Sequence, residues 1–260
     1  MVPTGCGAAA GSEYDPAIPA ATPFQGSRMS LEFGRFEALT FDCYGTLIDW
    51  EAGILAGLRP LVDAAHVSAP DETILEAYAR HEAALEAGPY LRYREVLARA
   101  AAATWRDLAA RLDTEAAETF AGSVGDWPAF PDSAGALARL KRRYRLGVIT
   151  NCDDDLFAAS AERLGVDFDW VITAQSVGSY KPNERNFHVA LERIGMRRDH
   201  VLHVAQSLYH DHVPAKRLGF ATAWINRRAG AAGFGATPPA DATPDLTAPD
   251  LASFADAALA

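Results

Sequence analysis

The chain has 260 residues, of which 49% are hydrophobic and 22% charged, with a formal charge of −10. That length suits one large domain or two unequal ones in an ordinary globular protein. The negative balance argues against nucleic acid and anionic membrane as partners, and no apolar run reaches the roughly 18 residues of a membrane span. A small anionic substrate stays open, because a local Lys or Arg outweighs a diffuse field at contact distance.

Residues 1–28 are rich in Gly, Ala, Pro, Ser and Thr and lack both a basic segment and an apolar core. They read as a disordered extension rather than a signal peptide, with Met29 as a candidate start. Cys6, Cys43 and Cys152 are widely spaced and form no C-x-x-C. That usage suits a reducing cytosol, so a cytoplasmic location is expected.

The apolar run from Phe36 to Phe41 predicts a strand that delivers Asp42 to its tip, followed by a turn at Gly45. Residues 50–125 then become rich in Ala, Leu, Glu and Arg. Helical spacing recurs at Ile54, Leu58, Leu61 and Val62, at Ile74, Leu75 and Tyr78, and at Val96, Leu97, Trp105, Leu108 and Leu112. Four or five helices are expected there, punctuated by Pro70 and Pro89. Because this block interrupts an α/β pattern, it reads as an all-helical cap inserted after the first strand. The aromatics Tyr90, Tyr93, Trp105 and Trp127 read as its core.

From Pro131-Asp132 the alternation resumes. Strands are predicted at Leu146–Thr150, Trp170–Thr173, Val201–Ala205 and Ala221–Ile225. Helices are predicted at Asp154–Leu164, Glu184–Ile194 and His212–Leu218. Residues 229–248 read as a loop and Leu251–Leu259 as a closing helix. Strands alternating with helices of this length predict βαβ units and a mostly parallel, Rossmann-like α/β core. The core spans 29–49 and 126–260, with the cap at 50–125.

A parallel sheet gathers its strand C-termini on one edge, where sites form. Four tips carry polar groups: Asp42, Tyr44 and Thr46; Thr150 and Asn151; Ser179-Tyr180-Lys181-Pro182; and Gln206-Ser207-Leu208-Tyr209-His210-Asp211. Thr150-Asn151 also suits a helix cap, with Asp153 to Asp155 complementing the helix dipole. Cys43 reads as a small apolar filler. His210-Asp211-His212 lacks metal-ligand spacing, since neighbours at a helix start point in different directions.

The series D-x-x-G-T at Asp42–Thr46, Thr150-Asn151, Lys181-Pro182 and the late acid Asp211 resembles the haloacid dehalogenase-like hydrolase superfamily. The likeness covers about residues 36–228. Most of that superfamily are phosphatases with D-x-D-G-T, in which the second aspartate is the general acid. Their Mg²⁺ is held by the first aspartate and by an acid of the fourth motif. Here Tyr44 and Gln206 occupy those two acid positions. Mg²⁺ prefers near-octahedral oxygen ligation with carboxylates, so neither metal nor cofactor is expected. Tyr44, the string S-x-x-x-Y-K-P and the ending W-I-N-R at Trp224–Arg227 resemble the metal-independent L-2-haloacid dehalogenase branch.

That resemblance implies hydrolysis of a small 2-haloacid with water as co-substrate. Asp42 attacks the halogen-bearing carbon and forms an ester, which water then cleaves. Lys181 pairs with Asp42, Asp211 fixes Lys181, and Thr46 hydrogen-bonds an Asp42 oxygen. The N–H groups of Cys43 and Tyr44, with the Thr150 hydroxyl, hold the substrate carboxylate. Asn151 donates to the departing halide. Gln206 and Ser207 belong to the fourth motif, and Phe187 stands where the dehalogenases carry a tyrosine. Arg80, with Arg92 second, is the candidate for their halide-side cap arginine. The alternatives are a phosphatase with atypical motifs and a non-catalytic binding relative, and the pair Tyr44 and Gln206 separates the first two. A homodimer through an apolar cap face stays open.

Overall fold

Apolar, β-prone residues build β1 (Ala38–Phe41), which is buried at every position. The computed structural model describes residues 31–64, 66–108 and 114–260. The predicted extension, Met29, Cys6 and Leu112 fall outside them. After β1 come α1 (Trp50–Ala64), α2 (Asp71–Glu86), α3 (Tyr93–Asp107) and α4 (Thr114–Gly122), with no strand between them among the described residues. The chain continues through α5 (Ser133–Leu140), β2 (Arg145–Thr150), α6 (Asp154–Leu164), β3 (Trp170–Thr173), α7 (Ala174–Val177) and α8 (Arg185–Ile194). Then follow β4 (Val201–Ala205), α9 (Val213–Arg217), β5 (Ala221–Ile225), β6 (Leu246–Ala248) and α10 (Leu251–Leu259). The described residues from Leu31 onward cluster as one compact unit, and none of their helices is long and apolar enough to cross a membrane.

The six strands lie in the order β3-β2-β1-β4-β5-β6, all parallel. β1 is therefore central, between β2 and β4, at the point where the winding reverses direction. Side chains alternate across the sheet. Leu39 and Phe41 join Leu146, Val148, Leu202 and Val204 in a large apolar cluster. Ala38 joins Ile149, Ile172, Phe187, Val201 and Phe220 in a second one. Thr40 and His203, in register with each other, share the alternation of Ala38 and Val201 and so lie toward the second cluster.

Two local expectations are corrected. Leu246–Ala248, expected within a loop, pairs with Ala223–Ile225 and adds the outermost strand. Three residues are too few to display a period, so its partner strand makes it a strand. The helix expected from His212 begins at Val213, after a π turn over Leu208–His212. That turn changes which side chains face the strand tips.

Candidate active site

β1 ends one residue before Asp42, whose N–H donates to Val204 O at 3.1 Å and so continues the sheet ladder. The chain then curls. Cys43 O accepts from the N–H groups of Thr46, Leu47 and Ile48 at 3.2, 2.7 and 3.0 Å. Gly45 carries the reversal at φ +90, where a side chain is strained, and a Cβ there would stand 3.0 Å from the Trp50 indole nitrogen. The curl returns the Thr46 hydroxyl to Asp42 Oδ2 at 2.7 Å, while Thr46 Oγ1 accepts from Gln206 N–H at 2.9 Å. Arg227 fastens the loop from outside. It donates to Thr46 O at 2.9 Å and makes a bidentate pair with Asp132 at 2.9 and 3.0 Å.

Lys181 is 1% exposed, and its ammonium is fully engaged. Nζ donates to Asp42 Oδ1 at 2.8 Å, Asp211 Oδ1 at 2.7 Å and Ile149 O at 2.8 Å. An ammonium has three hydrogens, so its position is fixed. Asp211 Oδ1 also accepts from His203 Nε2 at 2.9 Å, and His203 Nδ1 meets the Thr40 hydroxyl at 3.0 Å. An ionised Asp211 requires the hydrogen on Nε2, which leaves Nδ1 to accept from Thr40. His203 thus holds Asp211 from behind, a part of the site that sequence reasoning missed because a histidine inside an apolar strand reads as core.

Burial pulls Lys181 down, but the Asp211 and Asp42 carboxylates outweigh it and hold it at about 12. Burial would raise Asp211, yet Lys181 and His203 keep it well below the usual carboxylate range. Burial raises Asp42 above its ordinary value against the opposing Lys181 and Thr46, with Asp211 adding to the rise. The outcome is a desolvated carboxylate, more basic than one in water, beside a permanent cation.

These groups line a cavity of about 20 Å³ with Tyr44, Asn151, Ser207 and His210, room for about one water. Trp50, Glu82, Glu86 and Tyr93 from the inserted helices line it too, with Thr237. A larger cavity, about 730 Å³, lies elsewhere among Arg92, Arg94, Glu95 and Asp153–Asp155 and holds none of the Asp42 network. The Asp42–Lys181–Asp211 network lines the small one.

The remaining expected site residues divide. Among the hydrogen bonds of the described residues, none engages the N–H of Cys43 or Tyr44. The Thr150 hydroxyl is buried without a partner. Asn151 bridges instead of facing open space. Its amide donates to Lys181 O at 2.9 Å and to Glu86 at 3.1 and 3.2 Å, and its oxygen accepts from Lys181 N–H at 2.7 Å. Ser207 caps the π turn, accepting from His210 N–H at 2.8 Å. Burial raises the Cys43 thiol well above its ordinary value, consistent with an inert filler.

Four residues depart from their expected places. Arg80 is 59% exposed and pairs with Asp107, so it does not reach the cavity. Arg92 is exposed in the large cavity. Arg80 is off by helical phase, because the inward face of α2 is the one carrying Ile74, Tyr78, Glu82 and Glu86. Phe187 packs edge-on against His203 at 5.1 Å in the second apolar cluster and touches the site only through that imidazole. Gln206 contributes its backbone. Its N–H holds Thr46, its carbonyl accepts from the Trp224 indole at 2.8 Å, and its amide oxygen accepts from the hydroxyl of Thr237, which lines the cavity, at 3.3 Å.

The donor set does not suit Mg²⁺. The Tyr44 hydroxyl is engaged by Ser160 at 2.9 Å and Cys152 at 3.3 Å, and Lys181 Nζ stands between the two carboxylates that would bind a cation. Among the described residues no group of three or more acid, His or Cys side chains is arranged for a metal.

A family model for haloacid dehalogenase-like hydrolases matches residues 36–217. Haloacetate dehalogenase H-2 of Moraxella sp. (strain B) is 28% identical over 225 residues, covering 83% of this chain and 94% of that protein. An (S)-2-haloacid dehalogenase of Pseudomonas putida is 26% identical over 206 residues, 75% and 86% of the two chains. Among solved structures, an L-2-haloacid dehalogenase of Xanthobacter autotrophicus superposes with a TM-score of 0.70 at 21% identity, covering 85% and 97%. The magnesium-bound HAD-hydrolase YfnB of Bacillus subtilis also reaches 0.70, at 18% identity, covering 87% and 100%. The two structural likenesses speak to fold alone, whereas the match over residues 36–217 decides the family: this chain belongs to the haloacid dehalogenase-like hydrolases.

Proposed function

We propose that the protein is a metal-independent hydrolase that breaks the carbon–halogen bond of a small 2-haloacid. The observation that carries this reading is the fully engaged Lys181 ammonium between Asp42 and Asp211. It supplies a permanent positive charge beside the nucleophile. The relatives named haloacetate and (S)-2-haloacid dehalogenase support the substrate class. The X. autotrophicus enzyme, solved with chloropropionic acid covalently bound, supports an intermediate attached to the protein.

In this reading Asp42 Oδ attacks the halogen-bearing carbon in line and expels halide. Thr46, on Oδ2, and Lys181, on Oδ1, set the approach of the carboxylate. The free N–H groups of Cys43 and Tyr44 and the unpartnered Thr150 hydroxyl receive the substrate carboxylate. Water then attacks the Asp42 carbonyl and frees the hydroxy acid. The inserted helical block 50–125 acts as a cap over the strand tips, as the Trp50, Glu82, Glu86 and Tyr93 side chains beside Asp42 support.

A phosphate monoester fits less well. Its charge would meet Asp42, Asp211, Glu82 and Glu86 around a single lining ammonium. Purified protein in EDTA should release chloride from L-2-chloropropionate. Background chloride, together with Mg²⁺-dependent cleavage of a phosphate ester, would reverse the assignment. In ¹⁸O-water, repeated turnover should place label in the Asp42 peptide, whereas direct attack by water would leave that peptide unlabelled.

A further inference from the structure

α2 sets two carboxyls, Glu82 and Glu86, one helical turn apart on the wall of the Asp42 cavity. Their surroundings differ. Glu82 Oε1 accepts the Tyr78 hydroxyl at 3.0 Å and the Tyr93 hydroxyl at 2.8 Å, contacts that favour a negative charge. Glu86 shares the single Asn151 amide between its two oxygens, and its Oε2 stands 3.6 Å from His210 Nε2, too far for a hydrogen bond. That imidazole nitrogen is buried without a partner.

Four carboxyls, Asp42, Asp211, Glu82 and Glu86, line this cavity with Lys181 as its ammonium. Burial pushes His210 down to about 4, so it adds no second cation at neutral pH. One ammonium cannot balance four anions in a dry site. Asp42 and Asp211 are held by Lys181, and Glu82, held by two phenols, titrates at about 7, so of the two α2 carboxyls Glu86 is the one that keeps its proton. Burial and the Glu82 charge raise Glu86 well above its ordinary value; the Lys181 ammonium and Asn151 amide oppose this, and Asp42 adds to it.

Asp42 enters the cavity from the strand tips and Glu86 from the inserted helices. In-line displacement puts the leaving group on the side away from the nucleophile, which is the side of α2. We propose that Glu86 is the proton donor to the leaving group, a catalytic residue that suits this site to leaving groups that gain from a proton, fluoride above bromide. This rests on the dehalogenase reading.

The steps balance. The Asp42 oxygen–carbon bond forms as the carbon–fluorine bond breaks. The electron pair leaves with fluorine, which takes the Glu86 proton and departs as HF. Water then adds to the Asp42 carbonyl carbon, the ester carbon–oxygen bond at that carbonyl breaks, and the hydroxy acid leaves. The proton left over returns to Glu86, and Asp42 is again a carboxylate. Bromide, a far weaker base, needs no such transfer.

Wild type and Glu86→Gln would be compared on fluoroacetate and bromoacetate in EDTA. Removing a general acid typically costs about 10²–10⁴-fold where the proton is needed. The ratio of fluoride to bromide release should therefore fall about 100-fold or more in Glu86→Gln. An unchanged ratio, whether both rates fall together or neither falls, would overturn the assignment of Glu86 while leaving dehalogenation standing. Release of neither halide by wild type would overturn both readings. Should the variant fail to fold, wild type alone decides. A normal solvent deuterium isotope effect is expected on fluoride release and absent from bromide release, and equal effects on the two would overturn the proposal.

Discussion

Asp42 depends on two side chains that approach its oxygens from different directions, Thr46 at 2.7 Å and Lys181 at 2.8 Å. Asp42→Asn removes the proposed nucleophile while keeping the shape. Halide release should fall by at least about 10³-fold, with circular dichroism unchanged. Lys181→Met is expected to be worse for the protein as a whole. It leaves Asp42 and Asp211 buried without their common cation, and breaking a buried pair in this way costs about 3–5 kcal/mol. Urea unfolding should therefore report a large loss of stability alongside loss of activity. These positions were readable from residue order, because each group follows a strand end, and the roles proposed for them rest on the family resemblance. Glu82 and Glu86 were not. Their only sequence signal was that they continue the stripe Ile74, Tyr78 along the inward face of α2, where an apolar residue is the usual occupant.

At the scale of elements, the loop after β1 and the helices after it are locked together by a few contacts. Gly45 combines φ +90 with the close approach of Trp50 from α1. Gly45→Ala should cost about 1–3 kcal/mol and also lower turnover, because the same curl aims Thr46 at Asp42. Arg228, just beyond β5, reaches both Glu51 of α1 and Glu72 of α2, the latter at 2.8 Å. The Arg228 guanidinium is largely buried, at 17% exposed. Arg228→Met should lower the thermal midpoint by several degrees, since about 1 kcal/mol corresponds to about 2–4 °C in a chain of this size. Strand and helix positions were largely legible, with Trp170–Thr173, Val201–Ala205 and Ala221–Ile225 found as expected. Their period and their flanking turn residues carry that information locally. β6 and the π turn over Leu208–His212 were not legible, because one exists through pairing with β5 and the other through packing against the strand tips.

For the whole molecule, buried ionisable groups set the pH range of stability. Burial holds His210 and His212 each down at about 4, from 6.5. The unfolded chain binds those protons first, so their contribution is complete above pH 6.5 and is lost as pH falls towards 4. Each adds a slope of up to about 1.4 kcal/mol per pH unit in that window. Glu82 works in the opposite sense. Burial pushes it up to about 7 from 4.5, so its contribution is complete below 4.5 and is lost as pH rises to 7. Glu82→Gln should therefore gain stability relative to wild type as pH rises from 4.5 to 7, measured by urea unfolding at a series of pH values. A difference that stays constant, or moves against the variant, would mean that Glu82 is already ionised when buried.

By itself the sequence determined the α/β core, the helical insertion after the first strand and the Asp42–Thr46–Lys181–Asp211 set. Hydrophobic period and strand-tip position are local properties of a chain. Tertiary structure alone decided what faces that set. Helical phase turned Arg80 out to Asp107 and Glu86 inward, strand alternation brought His203 behind Asp211, and packing sent Phe187 into the second core. Which face of a helix meets a given strand tip depends on contacts between residues far apart in the chain, and no run of neighbours records it.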